Sequence, residues 1–191
     1  ARDWFNLGGF AKVQPYYGRT AEVHALRDDV KAFLRAYFNA IPSLLSLENL
    51  SFWEHFHNMG GWNKTHETGW FLCQSRLLFV MERGEELWIL PMAPRAWFEG
   101  GKHVRVSGAP SRFGRLGFAV ESRVGQGSIV ASIDPPRRSS PKAIILRLRH
   151  PEGKPIRAVE VDGRPHSDFD PSLECVRLAP TAGKVRVQVS Y

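Results

Sequence analysis

The first clear pattern in the chain is a helical repeat of apolar residues that begins at His24. The apolar residues recur at spacings of three and four, which form the stripe of an amphipathic helix. Asp28 and Asp29 lie near the start of this stripe, where the helix dipole favours negative charge, and Pro42 is expected to end it. The pattern predicts a helix over about 24–41, with a stripe of Leu26, Val30, Phe33, Leu34, Tyr37, Phe38 and Ile41.

A second helix is predicted after the pair Gly60-Gly61, with Asn63 or Thr65 as its N-cap and an end near Glu82. Two of its faces carry the larger side chains. The main apolar face is formed by Trp70, Cys73, Leu77, Val80 and Met81. The neighbouring face, which places Glu67 and Gln74 two turns apart on one side, is formed by Glu67, Phe71, Gln74 and Leu78.

From Glu86 the pattern changes from helical to alternating. Eight short segments rich in β-branched residues are separated by Gly, Pro, Asp or Ser, and Gly125-Gln-Gly and Asp162-Gly are hairpin-type turns. The pattern predicts a mainly β fold with an N-terminal helical part, in which two amphipathic helices precede an antiparallel β-sandwich of about eight strands. The predicted domains are 1–85, an irregular lead-in over 1–23 and a helical pair, and 86–191, the sandwich. The predicted strands lie within 87–90, 102–106, 116–122, 128–133, 143–149, 156–161, 173–178 and 184–189.

The net charge of +7 on 191 residues comes from the second half of the chain. The first 95 residues carry 10 basic and 10 acidic side chains, and the remainder carries 16 and 9. Many of these basic residues alternate with apolar ones, as Arg147 and Arg149 do around Leu148 and as Lys184 and Arg186 do around Val185, which is typical of the solvated face of an antiparallel sheet. Nucleic-acid binding usually gathers Lys and Arg into one patch, so no nucleic-acid partner is predicted.

Composition places the chain among folded, water-soluble proteins. With 43% hydrophobic residues it has enough apolar side chains for a core, and no run approaches the roughly 18 apolar residues of a membrane helix. No membrane partner is therefore predicted. The compartment is left open, because the opening residues resemble mature or internal sequence. Cys73 and Cys175 lie far apart outside any close-spaced metal motif, which favours two buried free thiols.

Residues 52–71, here called the aromatic–His segment, combine three Trp, three His and two Glu around Gly60-Gly61. Aromatic faces beside polar groups are typical of a site that binds sugar. Three imidazoles are also a possible zinc site, although no further ligand is evident in the sequence. The alternatives for the histidines are zinc binding, contacts to sugar hydroxyls, and ordinary buried or capping roles; for His55, His57 and His66 we predict hydroxyl contacts and no metal or other cofactor.

Five stretches of the chain resemble the C-terminal portion of bacterial glycoside hydrolases built on an (α/α)6 toroid. They are 63–76 (NKTHETGWFLCQSR), 86–98 (ELWILPMAPRAWF), 104–114 (VRVSGAPSRFG), 145–154 (ILRLRHPEGK) and 158–163 (AVEVDG). The resemblance covers about 24–191 and implies that the last barrel helices run into a β-sandwich. A toroid needs about twelve helices, at a usual helix length of roughly 11–12 residues. The chain is therefore expected to be the tail of such an enzyme, or a descendant that stands alone.

Glycoside hydrolysis uses two carboxyl groups, one on each side of the scissile bond. Glu54 and Glu67 are the two carboxylates of the aromatic–His segment. Glu67 is predicted to be the catalytic carboxyl contributor, although its place in the first turn of a helix also suits a carboxylate that complements the helix dipole. Arg95 is a further candidate, as a guanidinium that holds the carboxylate of a uronic acid. The predicted sugar-contacting residues are Trp53, Glu54, His55, His57, Trp62, Asn63, His66, Gln74 and Trp97.

The sequence therefore predicts the C-terminal part of a carbohydrate-active glycoside hydrolase, which contributes one wall of a sugar site and a β-sandwich. The predicted partners are an oligo- or polysaccharide, together with a remaining helical domain or a second copy that covers exposed helix faces. Whether this chain alone is an enzyme stays open. The alternative function is a non-catalytic sandwich module that binds glycan or a protein. A weaker alternative is a cupin-like metal sandwich, which needs histidines on strands.

Overall fold

The computed structural model describes residues 20–54 and 61–191. The chain divides into two compact units, residues 1–78 and 79–191. The first described unit is helical with one small hairpin, and the second consists mostly of strands. Within the described ranges no helix combines the length and the apolar character that crossing a membrane requires.

The first predicted helix is broken into two. Helix α1 spans Thr20–Leu26 and helix α2 spans Val30–Leu44. Asp28 takes a left-handed φ of 60°, and Asp29 caps α2 by accepting a hydrogen bond from the Ala32 amide at 2.9 Å. The two aspartates therefore lie at the break between α1 and α2, and Asp29 is at the N-terminus of α2, because short acidic side chains favour turns and caps over helix interiors. Pro42 lies inside the last turn of α2 and does not end it.

The second predicted helix is shorter than expected. Strands β1 (Leu45–Ser46) and β2 (Ser51–Phe52) form a hairpin, and helix α3 spans Thr65–Arg76. The N-cap residue of α3 is Lys64, which makes no side-chain cap, so neither Asn63 nor Thr65 is the cap. The predicted main apolar face is wrong, since Cys73 is exposed and Val80 and Met81 belong to a strand. The residues that α3 buries completely or nearly so are polar: Glu67 and Gln74.

Eleven strands of the second unit form two sheets. The strands of the six-stranded sheet are β5 (His103–Ser111), β6 (Gly114–Arg123), β7 (Ser128–Asp134), β9 (Ala158–Val161), β10 (Arg164–His166) and β13 (Val185–Ser190). They are arranged in the order β10-β9-β13-β7-β6-β5, and the sheet is antiparallel throughout. Strand β5 lies at one edge and carries a register shift between Val106 and Ala109, where Gly108 has a φ of 67°.

The five-stranded sheet has the order β11-β12-β8-β4-β3, in which β4 and β8 pair in parallel. Strand β3 lies where the sequence predicts the end of a helix, because Val80 and Met81 fit helical and strand patterns equally well. A short 3₁₀ helix, Arg95–Phe98, follows β4, and a second one, Val124–Gln126, precedes β7. The strands are β3 (Val80–Arg83), β4 (Glu86–Ile89), β8 (Ala143–Arg147), β11 (Phe169–Asp170) and β12 (Cys175–Leu178).

One apolar core joins the inner faces of the two sheets. Leu116, Ile129 and Val187 of the larger sheet belong to the same buried cluster as Leu87 and Leu146 of the smaller one. Alternate residues of strands β6, β7 and β13 point into this cluster, as the sequence alternation predicts. The predicted fold class, a mainly β chain with an N-terminal helical part and a β-sandwich, is confirmed, with eleven strands in place of eight.

Candidate functional site

Within the aromatic–His segment, Glu54 is bonded to Gly61 and Lys64. The Glu54 amide donates to the Gly61 carbonyl at 2.9 Å, and the Gly61 amide donates to Glu54 Oε2 at 3.2 Å. Glu54 Oε1 lies 3.3 Å from Lys64 Nζ, and the Lys64 amide donates to the Phe52 carbonyl at 3.0 Å. Glu54 thus holds Gly61 and Lys64 beside it. These contacts support a structural role for its carboxylate.

Helix α3 is held against α2 and β2 by aromatic rings. The Phe71 ring lies 4.8 Å from Phe52 and stacks at 5.9 Å on Tyr37, which in turn stacks at 5.8 Å on Phe33. The Tyr37 hydroxyl is 2.8 Å from Ser75 Oγ, and burial raises the pKa of this phenol while that hydrogen bond partly offsets the increase. Because Phe71 is anchored in this way, the same face of α3 turns Glu67 and Gln74 inward.

The most unusual feature of α3 is the carboxylate of Glu67. Its side chain is completely buried, its Oε2 lies 2.6 Å from Nδ1 of His66, and among the described residues its Oε1 has no hydrogen-bond partner. A buried polar atom without a partner costs about 1–3 kcal/mol, so such atoms are rare in native proteins and ask for an explanation.

The Glu67–His66 contact fixes the orientation of the imidazole. Nδ1 of His66 faces Oε2 of Glu67 at 2.6 Å, and Nε2 on the other side of the ring is a buried atom. The His66 side chain is 35% exposed, whereas Glu67 has no exposed surface. The pair therefore consists of a buried carboxylate that orients a surface-reaching imidazole.

The other predicted sugar contacts of this unit have different surroundings. Trp62 is 62% exposed, and Asn63 is also exposed and adopts a left-handed φ of 57°, which Asn tolerates better than most residues. Trp53 is half-buried, and its amide donates to the Leu44 carbonyl at 2.8 Å. Gln74 is 2% exposed, on the same face of α3 as Glu67. His55 and His57 lie outside the described residues.

Trp97 belongs to the sandwich unit. Its ring lies 5.0 Å from that of Phe79, and both rings pack on the edge of the sandwich core. A cavity of ≈ 300 Å³ adjoins this pair. Trp97 therefore belongs to a surface of the sandwich unit and not to the helical unit that carries the aromatic–His segment.

Arg95 forms an internal ion pair. Its guanidinium binds Glu174 in a bidentate manner, with Nη1–Oε1 at 2.6 Å and Nη2–Oε2 at 2.8 Å, and it also donates to the His150 carbonyl at 2.6 Å. Arg149 Nε donates to the same carboxylate at 3.1 Å. The candidate role of Arg95 as a uronate clamp therefore has a competitor in Glu174, which already occupies the guanidinium.

The sequence pattern does not reveal this network, because Arg147 and Arg149 alternate with Leu148 as surface residues do. The expectation of a solvated face is wrong for both arginines. Arg147 is 2% exposed and donates to the carbonyls of Pro91 at 2.8 Å and Leu173 at 3.1 Å. The Arg149 side chain is 15% exposed and is paired with Glu174. The expectation is correct for Lys184 and Arg186, which are exposed. The partner Glu174 has a left-handed φ of 56° in a turn, and no sequence pattern marks such a residue.

Within residues 20–54 and 61–191, no group of three or more His, Cys, Asp or Glu side chains is arranged to bind a metal ion. The zinc hypothesis involves His55 and His57 and therefore stays outside the described residues. Cys73 and Cys175 are free thiols; the prediction that both are buried is wrong for Cys73, which is exposed on α3.

Among known proteins, no family model and no curated protein matches this chain. Among the solved structures that are similar to parts of this chain, one is titled "Glycoside hydrolase"; it has a TM-score of 0.42 and 15% identity, over 85% of this chain and 29% of its own. A second is a GH127 β-L-arabinofuranosidase from Geobacillus stearothermophilus T6, with a TM-score of 0.39 and 12% identity, over 85% of this chain and 27% of its own. The chain thus spans less than a third of the length of these two structures.

Proposed function

We propose that this chain is part of a carbohydrate-active glycoside hydrolase and supplies one wall of its sugar site from the aromatic–His segment. The single observation that carries the proposal is the buried Glu67 carboxylate bonded to His66, four residues after the exposed Trp62 in the sequence. A buried carboxylate oxygen without a partner is rare in native proteins and asks for a functional explanation. An exposed indole next to polar groups is an apolar surface on which a pyranose ring stacks.

Each residue has a distinct role in this proposal. The ring of His66, whose side chain is 35% exposed, contacts the sugar, and Glu67 acts through it as a positioning residue, since no surface of the carboxylate is exposed. Trp62 supplies the stacking face, and Asn63 hydrogen-bonds a hydroxyl. Trp53, Glu54, His55, His57 and Gln74 complete the wall, with Glu54 mainly closing the loop by its bonds to Gly61 and Lys64.

Hydrolysis of a glycosidic bond needs two carboxyl groups that flank the scissile bond, and Glu67, which acts through His66, does not reach that bond itself. Glu54 is engaged by Lys64 and the Gly61 amide, so it is also poorly placed. Both flanking carboxylates are therefore assigned to another part of the enzyme. The chain by itself is expected to bind sugar weakly and to hydrolyse none.

The proposed neighbour is a further helical domain or a second copy of the chain. The described helical unit exposes seven large apolar side chains, an arrangement that marks surfaces normally covered by a partner. They are Val23, Leu26, Phe38, Leu47, Leu50, Trp62 and Leu72. Analytical ultracentrifugation tests this part of the proposal: association that weakens on dilution is expected, and a monomer at every concentration would contradict it.

The sugar wall is tested by isothermal titration of the full chain with xylotriose, cellotriose and galactotriose in turn. At least one neutral trisaccharide is expected to bind, and Glu67→Gln and Trp62→Ala are expected to weaken it about tenfold, which corresponds to about 1.4 kcal/mol. Glu48→Gln is the matched control, because Glu48 is an exposed carboxylate of the same unit. Equal affinity in all four proteins, or no binding at all, would refute the proposed wall.

The alternative function is a non-catalytic sandwich module that binds glycan or protein. The observation that favours it is the cavity beside Trp97, which lies wholly in the sandwich unit. Sugar binding that is unchanged by Glu67→Gln and is lost on Trp97→Ala would favour this alternative.

A further inference from the structure

Three neighbouring cavities, here called the trough, extend from the β5 edge of the six-stranded sheet onto its outward face. Their volumes are ≈ 300, ≈ 450 and ≈ 160 Å³, and Arg105 lines all three. The first lies at the sheet edge, where Phe79, Trp97 and Val104 pack on the border of the core. The third is lined by Lys184.

The first part of the trough combines an aromatic surface with positive charge. Phe79 and Trp97 form its apolar wall, with their rings 5.0 Å apart and tilted by 32°. Lys102, His103 and Arg105 complete it, and no carboxylate lines this cavity. Lys102 lies 3.9 Å from the exposed Glu99 in a contact that contributes little in water. This part therefore favours a ring that carries a negative charge.

The rest of the trough has a different character. Its floor carries the small residues Ala119 and Ser132, which are paired neighbours at outward positions of β6 and β7, and Arg105 lies opposite Ala119 on β5. Glu121 lines the second cavity, where Arg123 binds its carboxylate at 2.7 and 2.8 Å. Asp134 lines the third cavity together with Lys184, and its Oδ1 lies 3.2 Å from Arg137 Nη2. Positive charge is therefore less concentrated here than beside Trp97, and small polar residues suit the hydroxyl groups of neutral sugar units.

We infer that this trough binds an acidic oligosaccharide, with one uronic acid unit between Trp97 and Arg105 and neutral units along Ala119 and Ser132. The guanidinium of Arg105 pairs with the carboxylate, since its planar donors match carboxylate geometry, and the indole of Trp97 packs on the ring. A single-stranded nucleic acid is the competing ligand class. Its repeated phosphates need a row of basic residues, whereas the small residues Ala119 and Ser132 form the floor of the second cavity.

The test is titration of the full chain with xylotriose that carries one glucuronic acid at its non-reducing end, and with plain xylotriose. The acidic ligand is expected to bind more tightly. Arg105→Gln is expected to remove this preference, about tenfold in affinity. Arg164→Gln is the matched control, because Arg164 is an exposed arginine of β10, at the opposite edge of the same sheet. Trp97→Ala should weaken binding of the acidic ligand strongly, and Trp97→Phe, which keeps an aromatic ring in place, should weaken it less.

Several outcomes would overturn the inference. Equal affinity for the two sugars, or an Arg105→Gln protein that keeps the preference, excludes a uronate site at Arg105. Tighter binding of a single-stranded oligonucleotide, with the steep salt dependence of phosphate contacts, would assign the trough to nucleic acid. Glu67→Gln should leave the preference for the acidic ligand unchanged, so failure of the helical sugar wall and failure of the trough are distinguished.

Discussion

The two units of the chain differ in how many large apolar side chains they leave exposed. In the sandwich, fully buried residues such as Leu116 and Ile129 form one large apolar core, and Leu173 is the one exposed large apolar side chain, at 46%. The described helical unit has a small apolar cluster of its own, but α3 buries Glu67 and Gln74 and exposes Leu72 to 61%. The sandwich is therefore organised as a self-sufficient fold, whereas α3 turns polar side chains inward and an apolar one outward.

This difference separates two kinds of buried charge. In the sandwich, Glu174 receives three donors from Arg95 and Arg149, so its carboxylate is fully paired. In the helical unit, Glu67 receives one contact and leaves Oε1 without a partner among the described residues. A fully paired buried charge fixes a structure, whereas a half-paired one costs free energy and is usually retained for function. The same kind of residue therefore has opposite consequences for stability in the two units.

The largest effect is expected from a cavity in the sandwich core. Leu116→Ala removes a fully buried side chain that packs between the two sheets. Its lost contacts and the remaining cavity should lower the free energy of unfolding by about 2–5 kcal/mol. Urea unfolding followed by the circular dichroism of the strands measures this change.

Leu72→Ala is the matched control in the helical unit. The exposed Leu72 should change the free energy of unfolding by less than about 0.5 kcal/mol, since it loses little buried contact. It should instead reduce association of the chain. A loss of stability as large as that of Leu116→Ala would show that Leu72 packs in an apolar core in solution, and the contrast would fail.

The next effect is expected from the paired charge. Glu174→Gln keeps the shape of the side chain and removes the charge that Arg95 and Arg149 share. Hydrogen bonds to charged groups contribute about 1.5–3 kcal/mol, so the sandwich should lose stability of this order. Glu160→Gln, at an exposed position of β9, serves as the control, and unfolding of both variants in urea is the measurement. A Glu174→Gln protein as stable as its control would mean that the network contributes nothing.

The sandwich could be predicted from the sequence to a large extent, because strand alternation is a local signal. Residues 116–122 and 128–133 alternate cleanly, and both become long strands of the larger sheet. Asp162-Gly163 has the φ values of 50° and 75° that a tight hairpin turn requires, as the sequence indicates. Strand β3 is not recognisable from the sequence, because its apolar pair Val80-Met81 also extends the helical pattern of α3. The choice between helix and strand depends on pairing with Trp88, across the hairpin.

The candidate site could be predicted only in part, because burial depends on distant residues. The spacing of Glu67, Phe71 and Gln74 correctly identifies one face of α3. Which of its two faces is buried depends on the stacking of Phe71 with Tyr37, a contact between residues far apart in sequence. Sequence also cannot separate a uronate clamp from an internal ion pair at Arg95, since the deciding partner is Glu174 in a distant turn.

A smaller effect of opposite sign is expected in the helical unit. Glu67→Gln replaces a half-paired buried carboxylate by a neutral amide of the same shape, which removes the cost of burying the charge. The free energy of unfolding should stay constant or rise by about 1 kcal/mol, even as sugar affinity falls. Thermal unfolding of the variant and of Glu48→Gln measures this. If Glu67→Gln loses as much stability as Glu174→Gln, then Glu67 is a structural residue and the proposed site loses its main support.

The smallest effect is a pH dependence of the sandwich that involves His150. This side chain is 3% exposed, its Nδ1 accepts from the Glu152 amide at 3.1 Å, and its ring lies 5.0 Å from that of Tyr191. Burial, helped by the positive charge of Lys154, lowers the pKa of His150 from its ordinary value of 6.5. The folded protein therefore binds the proton less readily than the unfolded chain. Stability should be complete above pH 6.5 and should decrease as the pH falls below it towards the lowered folded pKa.

His150→Asn keeps an acceptor for the Glu152 amide and removes the titrating ring. Urea unfolding of both proteins across the acidic range should therefore give curves that converge as the pH falls, with the wild type more stable only near neutral pH. The helical unit provides the internal comparison, because its unfolding should show the same pH dependence in both proteins. If the free energy of unfolding of the sandwich depends on pH in the same way in both proteins, protonation of His150 does not destabilise the fold. The sandwich would then not depend on a neutral His150.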